Sequence, residues 1–372
     1  MKQLGDMEYY SVYEFVADYK DGILSRRDMM RRVMHIAGGV ASAASLLSLL
    51  GCGGTAAPAS SISPASSAAS PKPASAAPSS SAPAASAPAS AKPAASAAAS
   101  PAASGSAAAK PAASGSAAAS GAPAAKSPIS VPANDAAIAG KDVTFQGNGA
   151  TLMAYEARPK SATGPLPLIL VVHQNMGLNE HIRDVARRYA KEGYMASALD
   201  LLSRDGGTAK VAATDASKIP SMLSTPEATA RGVADFAAAA DYYAKQAAQV
   251  NPARLGMNGF CFGGGIVWRA AEQIPTLKAA VPFYGAVPPL DLVKNIKAAM
   301  FGVYSADPKD FANAKRADLE TALKAANVTY QVKVYPGTQH AFNDDTGPRY
   351  VQAQALAAWK DALDWFAKYV KA

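Results

Sequence analysis

The chain has 372 residues, of which 49% are hydrophobic and 17% charged, with two cysteines, four histidines and a formal net charge of +8. Two cysteines exclude a disulfide scaffold and a cysteine-based zinc module, and no histidines have the HExxH spacing of a zincin. The charge is dispersed, because residues 136–372 carry 26 basic against 21 acidic side chains. Since nucleic-acid-binding proteins concentrate basic residues in one stripe, we do not expect a nucleic-acid partner.

Residues 1–52 are predicted to be an export signal. Residues 25–31, SRRDMMR, resemble the twin-arginine motif, and an uncharged stretch rich in Ala, Leu, Gly and Ser follows over residues 33–51. The sequence LLGC that ends at Cys52 resembles the lipobox of bacterial lipoproteins, in which the cysteine becomes an acylated N-terminus. The alternative is an uncleaved anchor helix with an incidental cysteine. Both interpretations predict an exported protein that is tethered to a membrane and faces the periplasm or cell exterior.

Residues 53–135 are predicted to be a disordered linker rich in Ala, Pro and Ser. Between Ser63 and Lys126 the only residue types are Ala, Pro, Ser, Gly and Lys, so almost no apolar surface could offset the entropy of ordering. Proline stiffens such a chain, whereas glycine and serine loosen it, which favours a semi-extended spacer. Its expected role is to give a tethered domain reach. A glycosylated stalk is the alternative.

Residues 136–372 are predicted to be one globular α/β domain. Continuous apolar runs such as Leu166–Val172 are typical of strands buried on both faces, and amphipathic runs indicate helices. The predicted strands are 143–157 (one or two), 166–172, 194–202, 254–258, 279–284, 298–304 and 329–335, and the predicted helices are 179–192, 226–249, 264–272, 310–326 and 349–369. This alternation predicts a mostly parallel sheet covered by helices on both faces.

The strongest chemical signal is GMNGFCFGGG at residues 256–265, where a predicted strand turns into a helix. It matches the G-x-S-x-G nucleophile elbow with Cys261 in place of serine, and the cramped turn requires small residues at Gly259 and Gly263. The helix N-terminus favours a thiolate, and the backbone N–H of Phe262 would face the oxyanion of a tetrahedral intermediate. The alternative is a glycine-rich turn with a buried, inert cysteine.

Two further residues complete a predicted catalytic triad. Asp307 follows one predicted strand and His340 follows another, so both lie at carboxyl ends that share one edge of a parallel sheet. The chain order nucleophile, acid, histidine is that of α/β-hydrolases. We expect His340 to exchange a proton with Cys261, and Asp307 to hold the imidazole tautomer and stabilise its cation.

These motifs together resemble the dienelactone hydrolase (carboxymethylenebutenolidase) family. The resemblance covers residues 141–372 and rests on FCFGG at 260–264, HAF at 340–342, the aspartate after a strand, and VHQNMGLN at 172–179. It implies an α/β-hydrolase fold and hydrolysis of an ester or lactone through an acyl-cysteine intermediate, without a cofactor or metal. It also implies a second oxyanion N–H from the loop at Asn175.

The chain departs from this family at the substrate-binding positions. A family glutamate that helps to control the proton of the nucleophile is matched by Gln174, which cannot take up a proton at ordinary pH. The family places an arginine for the substrate carboxylate shortly after the catalytic histidine, whereas residues 343–345 read NDD. Arg231 and Arg349 are the candidate replacements. We therefore expect a small-molecule ester or lactone, without the expectation that it carries a carboxylate.

The sequence also leaves open the roles of two further histidines and two other classes of function. His173 is expected to pack beside the oxyanion loop or to orient it, and His181 is expected at the surface. The main alternative function is a membrane-tethered binding domain with little or no catalysis. A thiol redox role is disfavoured, because Cys261 has no resolving cysteine once Cys52 is acylated.

Overall fold

The computed structural model of the chain describes residues 4–49 and 127–372, so Cys52 and most of the predicted linker lie outside the described residues. The helices are α1 (Asp6–Lys20), α2 (Arg26–Ala37), α3 (Val40–Leu49), α4 (Glu180–Lys191), α5 (Thr208–Asp215), α6 (Ile219–Leu223), α7 (Pro226–Ala244), α8 (Phe262–Ala271), α9 (Arg316–Ala325) and α10 (Gln352–Phe366). The strands are β1 (Ile138–Gly147), β2 (Ala150–Pro159), β3 (Leu166–Val172), β4 (Met195–Asp200), β5 (Val250–Phe260), β6 (Ala279–Phe283), β7 (Ala299–Ser305) and β8 (Tyr330–Tyr335).

The eight strands form one sheet in the order β1-β2-β4-β3-β5-β6-β7-β8. β1 pairs antiparallel with β2, β2 pairs antiparallel with β4, and the remaining neighbours are parallel. Every residue of β4, β6 and β7 is buried. Because successive residues of a strand point to opposite faces, this burial requires helices on both faces. The predicted α/β fold is confirmed.

Each predicted element of the body has an observed counterpart, with ends that differ by a few residues. The region 143–157 is two strands, β1 and β2, joined at Asn148-Gly149, where both residues have positive φ. The short helices α5 and α6 lie in the connection between β4 and α7 and were not predicted, because this segment has no clear apolar periodicity.

The globular body begins earlier than predicted, near residue 127. Val131 is buried, its N–H donates to Asp184 (2.6 Å), and its carbonyl accepts from Arg187 Nε (2.6 Å). The stretch 127–135, assigned from its composition to the linker, is therefore fastened to α4.

The N-terminal helices α1, α2 and α3 share a small apolar core. Val12, Phe15 and Val16 of α1 pack there against buried residues of the other two helices, including Met29, Val33, Ile36 and Leu46. Gly38 ends α2 in the left-handed conformation, at φ 77°, which breaks the predicted uncharged stretch into two helices. Within residues 4–49 and 127–372, no helix combines the length and apolarity that a membrane crossing requires.

Other residues of α1 pack against the body and not within the small core. Met7 and Tyr10 belong to the same buried cluster as the residues of the sheet, and Glu8, Ser11 and Glu14 are also buried. The packing of this segment against the body is not expected from its sequence. Its contacts converge on the carboxyl edge of the sheet.

Candidate active site

Cys261 occupies a strained turn between β5 and α8. Its φ is 60° and its ψ is −122°, a conformation that non-glycine residues rarely adopt. A Cβ on Gly259 would lie 2.5 Å from the carbonyl oxygen of Gly263, and one on Gly263 would lie 2.5 Å from that of His173. The glycine requirement predicted for both positions therefore has a steric cause, and the turn has the geometry of a nucleophile elbow.

The imidazole of His340 is paired with Asp310, and the prediction of Asp307 as its partner is wrong. His340 Nδ1 lies 3.0 Å from Asp310 Oδ1, and Asp310 also accepts from Ser305 Oγ (2.5 Å) and Ala312 N (3.0 Å). Asp307 instead accepts the backbone N–H of Lys309 (2.8 Å) and is only half-buried. Both aspartates follow β7, but the chain turns Asp307 outward and Asp310 towards the sheet edge.

Side chains of α1 contact both Cys261 and His340. The thiol of Cys261 donates to Glu14, with distances of 3.3 and 3.4 Å from Sγ to the two carboxyl oxygens. The Tyr10 hydroxyl lies 3.2 Å from His340 Nε2 and 3.2 Å from the carbonyl oxygen of Tyr284, to which it donates. Because the Tyr10 hydroxyl donates its single proton to Tyr284, its oxygen can accept a hydrogen from Nε2, and a protonated imidazole then donates to both Asp310 and Tyr10.

The potential ligand atoms of Glu14, Cys261 and His340 lie within 4.8 Å of one another. The sulfur and an imidazole nitrogen are therefore close, although α1 side chains occupy the hydrogen-bonding positions around them. A carboxylate, a thiolate and an imidazole could also hold a zinc ion. In the structure Glu14 and Cys261 bond each other, and His340 lies against Tyr10 and Asp310.

Burial and charge set the proton affinities of this cluster. Burial raises the pKa of Glu14 from 4.5 to about 7, although the nearby His340 opposes the shift. Burial, followed by the Glu14 charge, raises the pKa of the Cys261 thiol well above its usual value. Burial alone would lower the pKa of His340, but Asp310 outweighs it and the net shift is upward. With α1 in place, the thiol is therefore held in its protonated, unreactive form.

The chain is similar to known proteins over most of its globular body. The dienelactone hydrolase family matches residues 152–370. The chain is similar to proteins named carboxymethylenebutenolidase from Salmonella typhi (35% identity, 67% of this chain and 95% of that protein) and Escherichia coli K12 (36%, 67% and 93%). It is also similar to the crystal structure of a Klebsiella pneumoniae protein named dienelactone hydrolase, with 34% identity, 63% of this chain and 100% of that chain covered, and a TM-score of 0.56. The chain belongs to the dienelactone hydrolase family.

Membership of the dienelactone hydrolase family makes the protein a hydrolase whose substrate class is small esters or lactones. The matched region begins at residue 152, so α1, α2 and α3 lie outside it. The contacts of Tyr10 and Glu14 are therefore made by a segment that the family match does not include. Neither residue was singled out from the sequence.

Of the two predicted oxyanion-hole residues, Phe262 adjoins the sulfur and Asn175 is linked to it through Glu14. Phe262 is the first residue of α8, and its backbone N–H contributes a hydrogen bond that favours the Cys261 thiolate. Asn175 is buried in the loop after β3, and its Nδ2 donates to Glu14 Oε2 (2.5 Å). Gln174, at the position of the family glutamate, is buried beside it, and its Nε2 has no partner among the described residues.

The two candidate substrate-binding arginines have different surroundings. Arg349 bonds Asp18 (2.9 Å) of α1 and Asp21 (2.8 Å), the residue after it, and it borders a cavity of about 730 Å³ that His340 also lines. Arg231 lies half-buried on α7 and is not among the residues lining this cavity. The structure therefore brings Arg349 to the site, but in ion pairs with α1, and does not bring Arg231 there.

His173 and His181 both have structural partners. Leu201 N donates to His173 Nε2 (3.2 Å), so the ring donates from Nδ1 to the carbonyl of Gln174 (2.6 Å), which orients the oxyanion loop. Burial lowers the pKa of His173, so the ring stays neutral. The prediction of a surface position for His181 is wrong, because it is buried and its Nδ1 lies 2.9 Å from Asp345. Asp345 also binds Arg188 (2.7 Å).

Proposed function

We propose that this protein hydrolyses small carboxylic esters or lactones through a triad of Cys261, His340 and Asp310. The observation that carries the proposal is the strained elbow at Cys261, with the Asp310–His340 pair at the same sheet edge. A structural turn would not need a cysteine at φ 60° whose flanking glycines admit no Cβ. The inert-cysteine alternative explains neither the strain nor the paired imidazole.

In the acylation step, Cys261 gives its proton to His340 Nε2 and its sulfur forms a bond to the substrate carbonyl carbon. The carbonyl electron pair moves to oxygen, which the backbone N–H groups of Phe262 and Asn175 stabilise. The carbon–oxygen bond to the leaving alcohol then breaks, and His340 returns the proton to that oxygen. Asp310 holds the Nδ1 hydrogen and stabilises the imidazolium throughout.

Hydrolysis of the acyl-cysteine repeats these proton transfers with water. His340 takes a proton from water as the water oxygen bonds to the thioester carbon. The carbon–sulfur bond breaks, and the sulfur takes the proton back. The net reaction adds one water across the ester bond and requires no cofactor.

Turnover of p-nitrophenyl acetate by the full chain tests this function. We expect Cys261→Ala to abolish turnover and the acetyl adduct that mass spectrometry detects on the intact protein. Cys52→Ser is the matched control, because it removes the other cysteine and should leave turnover unchanged. Turnover that survives Cys261→Ala would contradict the mechanism. Absence of an acyl adduct across a panel of esters and lactones, both in the full chain and in its Tyr10→Ala variant, which loses the α1 contact with His340, would favour the membrane-tethered binding domain.

We also propose that the protein is exported by a twin-arginine signal and held at a membrane by acylated Cys52. Arg26 and Arg27 lie in the first turn of α2 and are exposed, so an export receptor could reach them while α1 to α3 are folded. Cys52→Ser should release the protein into the soluble fraction, and Arg26→Lys with Arg27→Lys should retain it inside the cell. Membrane retention of the Cys52→Ser protein would refute the lipid anchor.

A further inference from the structure

We propose that α1 is an internal plug that closes the active site until the N-terminal segment is displaced or removed. The inference rests on the proposed function, because it concerns access to the same cysteine. Its basis is that α1, a helix outside the matched family region, places Glu14 against the nucleophile and Tyr10 against His340.

The plug fills the space in which an acyl group must lie. In the acylation step, the substrate carbonyl has to lie against the sulfur and between the two oxyanion donors. Glu14 holds that place, since one of its oxygens is 3.3 Å from Cys261 Sγ and the other accepts from Asn175. Tyr10 holds the proton-transfer position on His340 Nε2. Cys261 is 0% exposed, so no substrate reaches the sulfur while α1 is docked.

Several contacts at both ends of α1 hold it in place. Tyr10 packs edge-on against Phe311, with ring centroids 4.1 Å apart. Near the C-terminal end of the helix, Arg349 bonds Asp18 and Asp21. Displacement of α1 would expose the Cys261 thiol. It would also release Arg349 from these ion pairs at the border of the cavity of about 730 Å³. One movement would therefore uncover both the nucleophile and a cation.

The plug also connects the site to the N-terminal signal. Cleavage before Cys52 would remove α1 together with α2 and α3, since all three precede that residue. The unprocessed chain would then be a closed precursor, and processing would open the site after export. The carboxylates of α1 that bond Cys261 and Arg349 are otherwise difficult to explain in a segment that only directs export.

The test measures access to the thiol separately from hydrolysis, with the full chain throughout. Iodoacetamide alkylation of the peptide that contains Cys261 is followed by mass spectrometry for the parent chain and for Tyr10→Ala. Tyr9→Ala is the matched control, because Tyr9 is the adjacent tyrosine of α1 and is 43% exposed. A second variant, Asp18→Asn with Asp21→Asn, weakens the Arg349 contacts without removing a buried aromatic ring.

We expect Tyr10→Ala and the double aspartate variant to be alkylated at least tenfold faster than the parent and the Tyr9→Ala control, with faster ester turnover. Thermal unfolding by circular dichroism verifies that each variant is folded. An unchanged alkylation rate in both folded variants would contradict the proposal that α1 closes the active site. Faster alkylation without ester turnover in any variant would support the plug and refute the proposed hydrolase function.

Discussion

His340 lies between two carboxyl groups of different origin. Asp310 comes from the body and bonds Nδ1, whereas Glu14 comes from α1 and contributes a charge that helps to raise the pKa of the imidazole. The two acids have opposite shifts: His340 and further hydrogen bonds hold the pKa of Asp310 below its usual value despite burial, while burial raises that of Glu14 to about 7. Asp310 therefore stays ionised as the counter-ion of His340. Glu14, in contrast, changes its protonation state near neutral pH.

The assignment of the triad acid can be tested by two matched substitutions. We expect Asp310→Asn to lower kcat by about a hundred- to ten-thousandfold, because the imidazole loses the acceptor that holds its Nδ1 hydrogen. Asp307→Asn should leave kcat unchanged, since the Asp307 carboxylate accepts the backbone N–H of Lys309 and His340 is paired with Asp310. Both are measured with p-nitrophenyl acetate in the Tyr10→Ala chain. Loss of activity in Asp307→Asn but not in Asp310→Asn would reverse the assignment.

The sequence predicted two members of the proposed triad and could not predict the third. The glycines around Cys261 mark its turn, and His340 follows Cys261 and an aspartate in the chain order of α/β-hydrolases, whereas His173, which also follows a strand, precedes both. Asp307 and Asp310 both follow β7, only three residues apart. Which of them faces the imidazole depends on how the chain turns between them, and this turn is set by tertiary contacts such as the hydrogen bond from Ser305 to Asp310.

At the scale of elements, the site depends on how closely α8 approaches β3. A Cβ on Gly263 would lie 2.5 to 2.6 Å from the carbonyl oxygens of His173 and Val172, and backbone atoms cannot give way as a flexible side chain can. We expect Gly263→Ala to destabilise the fold by about 1–3 kcal/mol and to lower ester turnover. Gly164→Ala is the control, since a Cβ there meets nothing within 4 Å. Equal melting temperatures for the two variants would contradict the argument.

The docking of α1 should weaken as pH rises. Docked Glu14 has a pKa of about 7, whereas in released α1 it would return to its ordinary value near 4.5. Protonation therefore favours the docked helix: the stabilisation is complete below pH 4.5 and is lost as pH rises through 7. Among the groups that face Glu14, Asp18 acts in the same direction, whereas His340, Arg349 and the Cys261 thiol favour its ionised form.

Amide hydrogen exchange of residues 6–20, corrected for intrinsic rates, measures this effect. Between pH 5 and pH 8 we expect the opening equilibrium of α1 to increase roughly ten- to a hundredfold. Glu14→Gln keeps the size of the side chain and should remove most of this pH dependence. An equal increase in the Glu14→Gln chain would show that another group controls docking.

At the scale of the whole molecule, the fold of the body was predictable from the sequence, whereas the packing of α1 against it was not. Each apolar run of the body is buried by its immediate neighbours in an alternating fold, so local pattern and tertiary structure agree. The predicted export motifs cover residues 25–52 and give no information about α1, which precedes them. The informative signal was charge, since residues 6–21 contain five acids and a single lysine, which is unusual for the positive start of a signal peptide.

Export processing and the plug make a joint prediction for the protein in its cell. Protein recovered from the membrane should lack residues 1–51, because the proposed cleavage precedes Cys52, and its Cys261 should be alkylated rapidly. The Arg26→Lys, Arg27→Lys chain should remain inside the cell with α1 attached and should be alkylated slowly, since Glu14 still covers the sulfur. Intact-mass measurement reports the N-terminus, and iodoacetamide reports the thiol. A membrane-held protein that retained residues 6–20 and still turned over esters would mean that α1 opens in place, without cleavage.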